Sequence, residues 1–203
     1  MKNTRNNKNK YKAVIIGAGN IAAGYDTPKS RDILTHAHAL SNNSRVDLVG
    51  ISDIDSVRGK AEAKKWSTVF FADNKTMFNE TKPDIVVIAT SSNTHKTLLL
   101  EVLTQKPKVI ILEKPAVHSK TEIAPVRRAA KKSGVPVIVN FRRRFDRSVH
   151  EVRNELIAGT YGRILSASAL YSKGVVHNGS HMIDLARYLF GEMTSGKMSF
   201  AVD

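Results

Sequence analysis

The chain has 203 residues, 41% of them hydrophobic and 25% charged, which is the composition of a soluble globular protein, and it contains no cysteine. No apolar run approaches the ~20 residues that a membrane span requires, and the lack of thiols excludes a disulfide framework and thiolate chemistry, as suits a reducing cytoplasm. The formal net charge is +14, with ten basic and three acidic residues between Lys120 and Arg153, yet no nucleic-acid motif or interleaved aromatic platform accompanies it.

Residues 1–10 are basic and lack the apolar h-region of a signal peptide, so they are expected to form a disordered arm. A β-branched run, Val14 to Ile16, then predicts a short buried strand that breaks into Gly17-Ala18-Gly19-Asn20-Ile21-Ala22. This fits the G-x-G-x-x-A form of a dinucleotide fingerprint. Gly17 would permit the tight turn, Gly19 would let the backbone approach a pyrophosphate, and Ala22 would let a following helix pack close to the strand. Taken alone, a Gly-x-Gly pair fits many tight turns.

Turn chemistry from Asp26 to Ser30 lengthens the first crossover before a helix over Thr35 to Leu40. A second strand, Leu48 to Asp53, ends in a carboxylate 34 residues beyond Gly19, against a typical spacing of ~20. At that position a carboxylate accepts hydrogen bonds from the adenosine ribose and repels a 2′-phosphate, so Asp53 favours NAD over NADP; as a plain helix cap it would do neither. The alternation continues with a helix over Asp55 to Trp66 and strands at Val69 to Ala72, Ile85 to Ala89, Val109 to Leu112 and Val137 to Asn140, with helices between them. Six apolar strands separated by helices predict an α/β fold, a doubly wound parallel sheet over residues 11–141. Its polar strand ends would be the opening turn, Asp53, the turn from Thr90 to Asn93, and Glu113-Lys114-Pro115.

From residue 142 the pattern changes. A helix is predicted over Arg147 to Ala158, an alternating strand over Gly162 to Tyr171 and a helix over Asn178 to Phe190. Residues 142–203 are thus expected to be the incomplete start of an α+β substrate domain, too short to close a core of its own.

Gly17 to Ile21, Ala89 to His95, Glu113-Lys114-Pro115, Asn140 to Phe145, Gly159 to Gly162 and Gly179 to Asp184 occur in the order and spacing of a known family. In these the chain resembles the glucose-fructose oxidoreductase and inositol dehydrogenase group, Gfo/Idh/MocA, as a C-terminally truncated member. The resemblance implies NAD(P)-linked oxidation or reduction at a carbinol of a sugar, polyol or nucleotide sugar, or else a catalytically inactive cofactor-binding or scaffolding fragment of such an enzyme. It implies cofactor contacts from Gly17, Gly19, Asn20, Ile21, Asp53, Thr90, Asn93, Glu113 and Lys114. Lys114 would stabilise alkoxide charge, with a cis bond to Pro115, and His181 would carry the hydroxyl proton. Arg143 and Asp184 would be substrate residues.

Plainer readings stand beside these roles: a surface turn for Lys114, a packed helix residue for His181, a turn or cap for Asn93 and His95, and a solvated run for Arg142 to Arg144. The chain departs from the family in having His177 where many members carry Asp, one turn before His181, so that His177 either takes the carboxylate's place as a catalytic residue or marks a catalytically modified copy. An imidazole there cannot raise a neighbouring imidazole's pKa as a carboxylate does. No metal, nucleic-acid or membrane partner is expected. A homo-oligomer is expected of a full-length form.

Overall fold

The computed structural model describes residues 10–196. The basic arm, Lys10 apart, and residues 197–203 lie outside them. The chain divides after Asn140 into two compact units.

The first unit is a six-stranded, all-parallel sheet in the order β3-β2-β1-β4-β5-β6. The strands are β1 (Tyr11–Ile16), β2 (Val46–Ser52), β3 (Phe70–Phe71), β4 (Ile85–Ile88), β5 (Val109–Leu112) and β6 (Val137–Val139). Helices α1 (His36–Ser41), α2 (Ser56–Lys65), α3 (Asn74–Thr81), α4 (His95–Gln105) and α5 (Lys120–Ser133) provide the crossovers. Successive strand residues point to opposite faces, and here both faces are covered. Val14, Ile16, Val86, Ile88, Ile110 and Leu112 pack against Met77, Phe78, Leu99 and Val102 on one side. Ala13, Ile15, Ile51 and Val87 pack against Ala22, Ala37 and Trp66 on the other. That two-sided burial explains why the strands read as continuous apolar runs.

Strand order reverses between β1 and β4, which flank the centre of the sheet. In doubly wound sheets the ligand crevice lies at such a switch point, beyond the C-terminal strand ends.

The helix expected directly after the glycine turn is a single five-residue π-turn, Asn20–Gly24. Asp26 ends it by drawing the chain outward. Its carboxylate accepts from the Leu34 N–H at 2.7 Å, the Thr35 N–H at 3.2 Å, the Thr35 hydroxyl at 2.6 Å and His38 Nδ1 at 2.9 Å. Residues 26–35 are thereby closed into a loop, and α1 starts only at His36, capped by the Thr35 side chain.

The second unit contains α6 (Arg147–Ile157), a π-turn (Val175–Gly179) and α7 (Ser180–Phe190). Among its described residues there is no strand, so the expected strand over Gly162 to Tyr171 is not formed. Alternation makes a strand only where a partner ladder satisfies its backbone, and this segment is exposed along its length. Asp184 in α7 is 7% exposed and is held by Arg144 through three contacts of 2.7–2.9 Å. The guanidinium also lies 5.1 Å from the ring centre of Tyr188. Among the described residues, no helix is long and apolar enough to cross a membrane.

Candidate functional site

The glycine turn is built by two different constraints. Gly17 has a φ of +95°, and a Cβ placed there would stand 2.8 Å from the Ala89 carbonyl oxygen and 3.0 Å from Thr90 Cγ2. Only glycine satisfies both the left-handed backbone and that contact with the end of β4. Gly19 is the reverse case. It has an ordinary extended backbone, φ −71° and ψ −177°, and a Cβ there would meet no atom of the described residues within 4 Å. Nothing among the described residues demands glycine at that position, so the space above it is a cradle that a side chain would fill. That is the geometry a pyrophosphate needs for close main-chain approach, and the residues present fit a dinucleotide.

Asp53 stands directly after β2, and both of its oxygens are engaged. Oδ2 accepts from the Ala18 N–H of the glycine turn at 2.6 Å, and Oδ1 accepts from the Asp55 N–H at 2.8 Å. The Arg58 guanidinium forks onto the same carboxylate, Nε to Oδ2 at 3.2 Å and Nη2 to Oδ1 at 2.8 Å. Burial opposes ionisation, but these donors outweigh it and hold the carboxyl below its ordinary value. Asp55, not Asp53, caps α2. Asn20 is exposed and Ile21 half-buried on the π-turn.

The end of β4 and the segment after β5 are tied by His95, for which a turn or cap role was the plainer expectation. His95 is fully buried at the start of α4, with Nδ1 2.7 Å from the Pro115 carbonyl and Nε2 3.1 Å from the Thr90 carbonyl. Thr90 hydrogen-bonds Thr94 at 2.7 Å, and Asn93 is exposed on the 3₁₀ turn between them. Lys114, half-buried, precedes Pro115 through a cis peptide bond.

Glu113 turns inward beside Lys114. Its Oε1 lies 2.9 Å from His36 Nε2 and accepts from the Asn140 amide at 2.7 Å, and its Oε2 accepts from the Lys114 N–H at 3.3 Å. Burial raises the carboxyl pKa, and the hydrogen bonds from His36 and Asn140 more than reverse that. Glu113 thus organises the ends of β5 and β6 together with α1. His36 and Asn140 were not foreseen in this cluster, since one lies 77 and the other 27 residues from Glu113. The only signal was that all three sit beside element ends.

In the second unit, His181 lies in α7 with its ring edge-on to Phe141, the centroids 5.9 Å apart. His177 lies in the π-turn before α7 and is exposed. Arg143 Nη1 lies 3.5 Å from Met182 Sδ. Asp184, expected as a substrate residue, has its carboxylate on Arg144.

The model of an oxidoreductase family with an NAD-binding Rossmann fold, GFO_IDH_MocA, matches residues 11–141. D-apiose dehydrogenase of Paraburkholderia graminis is 25% identical to the chain, covering 91% of it and 51% of that protein. Inositol 2-dehydrogenase 2 of Saccharopolyspora erythraea is 27% identical, covering 88% and 53%. The chain therefore spans about half the length of the curated relatives it matches. Among solved structures, a putative myo-inositol dehydrogenase from Sinorhizobium meliloti superposes with a TM-score of 0.76 at 24% identity, covering 91% of this chain and 56% of that one. The WlbA dehydrogenase from Chromobacterium violaceum, in complex with NADH and UDP-GlcNAcA, superposes at 0.73 with 21% identity and covers 91% and 56%. These two likenesses concern the fold.

Proposed function

The chain belongs to the Gfo/Idh/MocA oxidoreductase family, and from that premise we propose that it serves NAD-linked hydride transfer at a carbinol of a sugar, polyol or nucleotide sugar. Residues 11–141 are the dinucleotide-binding domain in this reading, and 142–203 begin the catalytic domain. The observation that carries the reading is the pair Gly17 and Gly19, the first required by the fold and the second required by nothing among the described residues.

Bound nicotinamide supplies the hydride acceptor or donor. In this reading the backbone from Gly17 to Ile21 would hold the pyrophosphate, Asp53 would address the adenosine ribose, Asn93 would contact a cofactor ribose, and Thr90 would be a further cofactor-binding residue. Glu113 fixes the strand end from which Lys114 projects. The Lys114 ammonium stabilises oxyanion charge as the hydroxyl proton leaves, and His181 receives that proton, a transfer worth about 10²–10⁴ in rate. Arg143 is the candidate for an anionic substrate group, while Asp184 acts through Arg144. A full-length form is proposed to be a homo-oligomer.

A second reading is favoured by the chain spanning about half of its relatives' length: a cofactor-binding unit without turnover. Fluorescence titration with NADH, followed by NAD reduction across a panel of polyols and nucleotide sugars, separates the two. Binding with turnover supports the first reading, and binding alone supports the second. A folded sample that binds no NADH refutes both. Lys114→Ala is expected to abolish turnover while the chain still binds NADH; intact turnover would remove Lys114 from the mechanism.

A further inference from the structure

In a parallel sheet the N-terminal ends of the strands and the C-terminal ends of the crossover helices share one edge, opposite the edge that carries the glycine turn, Asp53 and Glu113. The fold collects basic side chains at that edge from segments far apart in the chain. Lys10 and Lys12 stand at the start of β1, Arg45 directly before β2 and Lys108 directly before β5. Lys64 and Lys65 end α2, Lys82 follows α3, Lys106 follows α4, and Lys131 and Lys132 lie in the last turn of α5. Cations at helix C-termini offset the macrodipole, which accounts for the helix-end group but not for those on the strand starts. Carboxylates answer some of them: Lys10 lies 2.7 Å from Asp47, Lys65 2.6 Å from Glu62 and Lys108 2.8 Å from Asp84. Arg45, Lys64, Lys82, Lys106, Lys131 and Lys132 are exposed and form no ion pair among the described residues. Acidic residues gather at the other edge instead, where Asp55 and Asp73 cap α2 and α3, and Asp53 and Glu113 directly follow strands.

Six strands about 4.8 Å apart spread this row over about 24 Å. A nucleic-acid duplex carries one negative charge per about 1.7 Å of its axis, so a stretch of that length holds about fourteen phosphates. Residues 1–9, joined to the same edge at Lys10, add Lys2, Arg5 and Lys8 and no acidic group, the composition of arms that bind nucleic acid. The surface is built for phosphates and not for bases. The exposed ring at this edge, Tyr11, already carries the Lys108 ammonium 4.8 Å from its centre, and Trp66 is buried, so no stacking platform is offered. Tyr11 and Val69 are the large apolar side chains exposed at the strand starts among the described residues, too few for a face that inserts into a membrane. We propose that the edge at the strand N-termini is a binding surface for the phosphate backbone of a nucleic-acid duplex, held without regard to sequence and separate from the dinucleotide cleft. The sequence expectation of no nucleic-acid partner rested on the lack of a recognition motif, and a surface that reads only the backbone has none.

The test follows the whole chain by fluorescence anisotropy with labelled DNA and RNA duplexes of about 20 base pairs over a salt series, with phosphatidylserine vesicles as a parallel arm. The wild-type chain is expected to bind duplexes of unrelated sequence with Kd values within about threefold of each other. Its slope of log K against log salt is expected to be about −4 or steeper, at about 0.9 per phosphate engaged. Lys82→Gln, Lys106→Gln and Lys132→Gln together are expected to flatten that slope by about 2.7 and to weaken binding at least about tenfold at about 0.1 M salt. Arg45→Gln, Lys64→Gln and Lys131→Gln together are expected to do the same, and thermal melting of both triples keeps the test decisive if one fails to fold. Lys29→Gln, Lys75→Gln and Lys120→Gln remove equal charge away from the row, the last two from the first turns of α3 and α5, and are expected to change the slope by less than about 1. No duplex binding at about 50 mM salt, an unchanged slope in a folded row triple, or an equal loss in the control triple overturns the proposal. Vesicles bound more tightly than either duplex overturn it as well. A preference for the DNA or the RNA duplex supports it and names which nucleic acid the surface takes. NADH titration of the same variants is expected to match wild type, and a wild-type chain that binds no NADH leaves the duplex result standing.

Discussion

The two glycines of the opening turn can be separated by one substitution each. Gly17→Ala forces a β-carbon into a φ of +95° and to within 2.8 Å of the Ala89 carbonyl oxygen and 3.0 Å of Thr90 Cγ2. The left-handed backbone costs an alanine about 1–2 kcal/mol, and overpacking against a neighbouring strand costs about 1–3 kcal/mol. A total near 3 kcal/mol corresponds to a fall in Tm of about 6–12 °C for a chain of this size. Gly19→Ala adds the same atom at a φ of −71° with no atom of the described residues within 4 Å. Its stability is expected to be unchanged or raised by up to about 1 kcal/mol, because alanine restricts the unfolded chain. NADH affinity, however, should fall by about tenfold or more, or about 1.4 kcal/mol, since the new methyl group occupies the cradle. Urea and thermal denaturation with NADH titration of both variants provide the assay. The reasoning is refuted if Gly17→Ala melts with the wild type, if Gly19→Ala is destabilised to the same degree, or if Gly19→Ala binds NADH normally.

Asp26→Ala removes the acceptor of four hydrogen bonds from a site that is 5% exposed, and urea midpoints should show a loss of about 3 kcal/mol; a loss below about 1 kcal/mol would show that the 26–35 loop does not depend on it. Asp26, Asp53 and Glu113 all lie below their ordinary values of 3.8, 3.8 and 4.5. In each case burial works against the shift and hydrogen bonding outweighs it, from Thr35, Leu34 and His38 at Asp26. The unfolded chain therefore binds protons first as pH falls, so stability is fully present above about pH 5 and is lost progressively through and below the ordinary values. A flat urea midpoint between pH 5 and pH 3 would contradict this. In the second unit, a double-mutant cycle of Arg144→Met and Asp184→Asn should give a coupling of about 1–2 kcal/mol, less than for a fully buried pair because Arg144 is 36% exposed. Additivity within about 0.5 kcal/mol would show the fork to be energetically idle.

Much of the first unit was legible because its signals are local. Continuous apolar runs of strand length, bounded by turns and separated by helical periodicity, specify a parallel sheet covered on both faces, and the burial of Val14 to Ile16 and Val86 to Ile88 on both sides matches that reading. The glycine turn was legible for the same reason, since its spacing and backbone demands lie within six residues. Helix existence was read well and helix extent less well. The turn after Gly19 is one π-turn, because Asp26 draws the backbone out toward Thr35 and His38, and no local pattern announces those bonds. The alternation from Gly162 to Tyr171 misled, because a strand exists through its partner and not through its own sequence.

The sequence by itself determined the order of strands and helices, the residues that must be glycine or apolar, and the family. Only the tertiary structure decided how the polar groups at the strand ends are shared. Glu113 is taken by His36 and Asn140, His95 joins Thr90 to Pro115, and Asp53 is divided between Ala18, Asp55 and Arg58. The physical reason is distance along the chain. Backbone preference and hydrophobic period act over a few residues, whereas a carboxylate selects its donors from whatever the folded sheet brings within 3 Å, 35 residues away for Asp53 and 77 for Glu113.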